Sequence, residues 1–226
     1  MRTFSSSKFL LWIILVPMLL FQLLGATLYF FALPGFAEVL YPATKILMIV
    51  WPVLWVTAGF RPKMFSGPKS GRWLFGLSSG VVFSVLIALV FLLFKDFFES
   101  LAPALEVTVR TFGIWNWYIP FAVILSLGHS LFEEVYWRWF VFGCLRLLMP
   151  VGEAMVVSSL AFASHHVLIL WLFLPWPLAM FFGLCVGLAG MCWCMLYQKT
   201  NSLVTSWLSH ILVDVTILSI GYFLLF

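Results

Sequence analysis

Residues 73–94 read WLFGLSSGVVFSVLIALVFLLF, 22 positions without one ionisable side chain. A helix rises about 1.5 Å per residue, so such a run reaches across a hydrocarbon core of roughly 30 Å. It is too long for a buried strand and apolar on every face, and it is read as a transmembrane helix. Working outward, the same pattern recurs over 9–33, 39–60, 119–143, 154–170, 177–197 and 203–225, giving about seven spans. The breaks between them are short and polar or Pro-containing: Arg61-Pro62-Lys63 through Ser70-Gly71-Arg72, Met149 through Glu153, Leu174-Pro175-Trp176-Pro177 and Gln198-Lys199-Thr200-Asn201. None can hold a soluble domain, so the expected fold is an all-α polytopic transmembrane helical bundle with residues 1–226 as a single integral membrane domain.

Composition agrees. The 226 residues are 64% hydrophobic and 9% charged, against about a quarter charged in soluble domains. The net charge of +4 concentrates in loops on one side, which reads as a topology signal and implies no nucleic-acid partner. With the N-terminus inside, Arg2, Lys8, Arg61, Lys63, Lys69, Arg72, Arg146 and Lys199 fall in the cytoplasm, Lys95 and Arg110 fall outside, and the C-terminus is external. The expected location is multi-pass in a membrane such as the plasma membrane of a prokaryote.

The first apolar run, Phe9 to Leu33, is too long for the core of a signal peptide and is expected to be retained. The Lys95 to Tyr118 segment, with Trp115, Trp117 and Tyr118, is expected to lie along the interface. Cys144, Cys185, Cys192 and Cys194 form no disulfide framework and read as packing residues. Gly183, Gly187 and Gly190 put small residues on neighbouring turns, a signature of close helix packing.

Ionisable groups inside a span cost at least about 2.5–3.5 kcal/mol each for Asp, Lys or Arg, so each needs a partner or a purpose. Here they gather in the fourth, fifth and seventh spans: His129, Glu133, Glu134, Arg138, His165, His166, His210 and Asp214. Lys45 in the second span reads as near enough to an end to snorkel. Counted from the cytoplasmic span ends at 1.5 Å per residue, Glu133, His166 and His210 lie roughly 15, 18 and 11 Å deep. A site at that layer would open inward. Residues four apart share a helical face, so Glu134 is expected to be neutralised and positioned by Arg138, while Glu133 faces elsewhere and suits a general base. His210 and Asp214 also share a face, as a carboxylate and an imidazole that orient one another or contact one water or ion. His129 and His165 are not needed to complete a site, although His129 lies one turn before Glu133.

Glu133-Glu134-Val135-Tyr136-Trp137-Arg138 fits E-E-x-x-x-R, Phe162-Ala163-Ser164-His165-His166 fits F-x-x-x-H, and His210-Ile211-Leu212-Val213-Asp214 fits H-x-x-x-N/D. In this order, across about 119–216, they resemble the three motifs of the CPBP family, the CAAX-protease and bacteriocin-processing intramembrane endopeptidases. The resemblance implies a membrane bundle that hydrolyses peptide bonds of membrane-associated or lipidated substrates with a glutamate-activated water. It gives Glu133 and His166 the activation of that water, and it completes the site with Glu134, His210 and Asp214. An asparagine in place of Asp214 would donate a hydrogen bond to an oxyanion; an ionised aspartate cannot, so Asp214 is expected to be protonated, to orient His210 or to bind a cation. A divalent ion such as zinc, held from among Glu134, His166, His210 and Asp214, is permitted but not demanded, since no H-E-x-x-H occurs.

Buried Glu, Asp and His also build proton or cation transporters, but neither the inverted repeat nor the paired broken helices of many transporters is visible. A non-enzymatic scaffold or immunity protein is the third reading; it would not need the carboxylates and histidines at matched depth.

Overall fold

The computed structural model describes residues 8–31, 36–58 and 72–226. Arg2, Arg61, Lys63 and Lys69, four of the basic residues behind the expected orientation, lie outside the described residues, as does the 59–71 connection. Among the described residues every regular element is helical: α1 (Lys8–Phe31), α2 (Phe36–Thr57), α3 (Trp73–Leu93), α4 (Lys95–Ser100), α5 (Ala102–Thr111), α6 (Trp115–Leu145), α7 (Val151–Trp171), α8 (Trp176–Thr200) and α9 (Leu203–Leu225). Five are long and apolar enough to cross a membrane: α1 over Lys8–Leu28, then α3, α7, α8 and α9. The pair α5 and α6, bent by 90°, brings the number to six if it counts as one broken span, and α2 contributes the apolar stretch Ala43–Thr57. The protein is therefore an all-α, multi-pass integral membrane protein. Exposed Leu86 and Leu89 on α3 and Leu184 and Leu188 on α8 suit a lipid solvent, which is as apolar as leucine.

Helix boundaries follow local chemistry. Pro150, extended at φ −54° and ψ 148°, precedes α7, where its missing N–H costs nothing. Asn201 takes the left-handed region at φ 53° and closes α8 by donating its N–H to Tyr197 O at 2.8 Å, a conformation asparagine tolerates better than most residues. At the bend before α6, Gly113 adopts φ 67°, open to a residue without a Cβ. Arg110 pairs with Glu106 at 2.8 Å and stacks over Trp115 at 3.6 Å.

The chain divides into two compact units, Met1–Phe65 with Val135–Met195, and Ser66–Glu134 with Leu196–Phe226. In the first, α1 lies against α2 and α7 around a core that includes Ile14, Leu15, Met18, Met48, Trp137 and Phe140. Tyr136 donates its hydroxyl to Met18 O at 2.5 Å and Trp51 its indole N–H to Ile14 O at 3.0 Å. The Lys45 ammonium donates to Gln22 Oε1 at 2.9 Å, and Gln22 is buried. The glycines of α8 pack as their spacing implied. A Cβ on Gly183 would come within 2.2 Å of Val167, and one on Gly190 within 3.2 Å of Phe162.

In the second unit α3 lies along α9 at backbone distance. A Cβ on Gly76 would sit 2.1 Å from Thr205 O, and one on Gly80 3.0 Å from the Ser209 Cα. A polar seam runs down this contact: Ser79 donates to Ser209 at 3.0 Å, Ser84 to Leu212 O at 3.1 Å, and Thr216 to Ser84 at 2.8 Å. These bonds flank the turn of α9 that carries His210 and Asp214.

Candidate active site

The four-residue spacing of Glu134 and Arg138 implies a uniform α-helix around Glu133. Instead α6 winds as α over Tyr118–Ile124, π over Leu125–His129, α over Ser130–Glu133, π over Glu134–Phe142 and α over Gly143–Leu145. The Ser130 N–H reaches back five residues, to Leu125 O. Each wide turn absorbs an extra residue and re-aims the side chains that follow, a distortion that recurs at functional sites. Glu133 and Glu134 stand where the short α stretch meets the second wide one.

Within the second unit those two carboxylates meet α9. The His210 Nδ1–H donates to Glu134 Oε1 at 2.9 Å. The other ring nitrogen, Nε2, lies 3.7 Å from Glu133 Oε2 and 3.7 Å from Asp214 Oδ1. Glu133, Glu134 and His210 are 2%, 0% and 3% exposed, so these are groups held out of water and not a solvated surface. One imidazole thus stands among three carboxylates, as a structure must arrange if it is to keep so many ionisable groups inside a span. The four-residue spacing paired His210 with Asp214, and they are in reach, but the shorter contact is to Glu134. His129, half-exposed, places Nδ1 3.9 Å from Glu133 Oε2, so its one-turn spacing does bring it beside the carboxylate.

His166, His165 and Arg138 belong to the first unit. His166 donates Nδ1–H to Phe162 O one turn back at 3.0 Å; a carbonyl can only accept, so in the neutral ring Nε2 is the acceptor. His165 is buried and stacks parallel to Trp137, ring centroids 6.2 Å apart. Arg138, 1% exposed, lies over Phe162 at 4.6 Å and Trp193 at 4.9 Å, so aromatic faces help stabilise the cation that is expected to position Glu134.

Sequence reasoning passed over Trp207 and Ser130. Trp207 stands three residues before His210, on the same face of α9, and its indole N–H donates to Leu127 O and Ser130 Oγ, both at 3.1 Å. Ser130 in turn donates to Ser126 O. The available signal was an indole among small and apolar residues, at helical spacing from the histidine.

The polytopic helical bundle thus carries a buried carboxylate–histidine cluster on two of its helices. Residues 115–216 match the family described as Type II CAAX prenyl endopeptidase Rce1-like, so this part of the chain is similar to that family. No curated protein and no solved structure gives a match.

Proposed function

We propose that the protein is an intramembrane endopeptidase that cleaves membrane-anchored or lipidated peptides, the prenylated CAAX tail foremost. The observation that carries this reading is the buried His210, tied to Glu134 through Nδ1 and facing Glu133 and Asp214 through Nε2. Separations of 3.7 Å are too long for direct hydrogen bonds and suit a bridging water.

In this mechanism Glu133 removes a proton from the water, whose oxygen attacks the scissile carbonyl carbon. Glu133 then returns that proton to the amide nitrogen as the C–N bond breaks. The part of His166 in activating the water rests on the F-x-x-x-H motif alone. His210 carries its Nδ1 proton on Glu134; when Nε2 is protonated as well, it donates to the oxyanion, as preorganised donors do. Asp214 orients the ring from its other edge.

The donor set is also compatible with a divalent ion. His210 Nε2 has carboxylate oxygens of Glu133 and Asp214 each at 3.7 Å, and imidazole with carboxylate suits zinc. Bound there, an ion would polarise the scissile carbonyl.

The test is reconstitution of the purified protein in liposomes with three peptide sets, prenylated CAAX-tailed, unprenylated CAAX-tailed and helix-anchored, and identification of the products by mass spectrometry. Cleavage at one bond of a membrane-tethered peptide is expected, with the prenylated tail preferred. No turnover of any set would overturn the reading. Metal analysis of the same active preparation separates the two forms of the mechanism: chelator-resistant activity leaves Glu133 alone with the water, and chelator-sensitive, zinc-restored activity assigns the ion.

A further inference from the structure

Two side chains of α9 grip α6 at two heights. His210 holds Glu134 at 2.9 Å, and Trp207, one turn earlier, holds the wide turn that leads into Glu133 through Leu127 O and Ser130 Oγ at 3.1 Å each. Ser130 is fully buried, and its hydroxyl both accepts from the indole and donates to Ser126 O. The bonded set therefore runs Trp207, Ser130, Ser126 with the Leu127 carbonyl at its side, and it lies on the Leu125–His129 π turn.

A π turn is one inserted residue, and its place along a helix is set by what bonds to it. Moving the insertion past Glu133 would rotate that residue by about one helical step, roughly 100°, relative to α9. Glu133 would then leave the imidazole it now faces. Both acceptors, Leu127 O and Ser130 Oγ, belong to the turn itself or its first following residue, so the indole N–H holds the insertion in place through two bonds.

We propose that Trp207 is a positioning residue: its indole N–H fixes the π turn of α6 so that Glu133 and Glu134 face His210. The assignment rests on the proteolytic reading for its consequence, but not for its geometry. Trp207→Phe keeps the ring and removes the N–H, and Ser130→Ala removes one acceptor.

In reconstituted protein, Trp207→Phe is expected to raise amide hydrogen exchange across residues 125–134 while exchange elsewhere and Tm stay at wild-type values. With a cleaved peptide, kcat should fall about tenfold and KM should stay within about twofold. Ser130→Ala should act the same way, more weakly, and the double variant should add little to Trp207→Phe. Unchanged exchange over 125–134 would overturn the assignment. So would uniform destabilisation of the whole protein, a rise in KM with kcat retained, or faster local exchange with an unaltered kcat. If the wild type cleaves nothing, the proteolytic reading fails on its own, and the exchange comparison still decides whether Trp207 holds the turn.

Discussion

The two units keep ionisable groups inside a span by different means. In the first, Arg138 is enclosed by the faces of Phe162 and Trp193 at 4.6 and 4.9 Å, and Lys45 is held by the neutral amide of Gln22 at 2.9 Å. In the second, His210 meets groups that can exchange protons with it, Glu134 at 2.9 Å and Glu133 and Asp214 at 3.7 Å. Aromatic faces and amides stabilise a cation through their electron density and carbonyl oxygen. Carboxylates around an imidazole make its protonation state depend on theirs. The proposed hydrolysis draws Glu133 and His210 from the second arrangement.

That contrast breaks most readily by removing one residue of each kind. His210→Ala is expected to lower kcat by about 10²–10⁴-fold with the fold intact, measured by peptide turnover alongside thermal unfolding in detergent. Arg138→Ala should act through stability, losing roughly 3 kcal/mol because a buried cation's packing and its partners go together. Activity should fall in parallel with the folded fraction. A fully stable but inactive Arg138→Ala would give Arg138 a direct part in binding or chemistry and erase the distinction between the units.

A smaller effect sharpens the second unit alone. Asp214, 15% exposed at its side chain, touches only the Nε2 edge of His210, whereas Glu134 holds the other edge at hydrogen-bond distance. Asp214→Asn keeps a polar group of the same shape, so activity is expected to stay within about tenfold of wild type, less than the cost of deleting a general base. A loss as deep as that of His210→Ala, restored by added zinc, would mean that the carboxylate charge is needed to hold an ion.

Much of this was legible in the sequence because a bilayer leaves few choices. Once a run such as Trp73–Phe94 must cross hydrocarbon, its backbone has to be helical. Gly183 and Gly190 announced their close approach to α7 in the same way, by being the smallest side chains on neighbouring turns. Lys45 was harder: its partner Gln22 lies on another helix, and only the presence of one amide in an otherwise apolar run hinted at it. The wide turns of α6 carry no compositional mark, because they are set by what the helix packs against. For the same reason the bond from His210 to Glu134, 76 residues apart, could not be read from spacing, which offered Asp214 first. Trp207 was hidden by its ordinariness, since tryptophan is common in this chain and only its two acceptors distinguish it.

The most direct test of the whole account is the turnover of a membrane-tethered peptide by Glu133→Gln, with side-chain volume nearly unchanged and the base removed. With wild type and variant reconstituted at equal folded concentration and products counted by mass spectrometry, cleavage is expected to fall by about 10³-fold or more, with Tm unaltered. Near-wild-type turnover by purified, folded Glu133→Gln would contradict a glutamate-activated water in this protein.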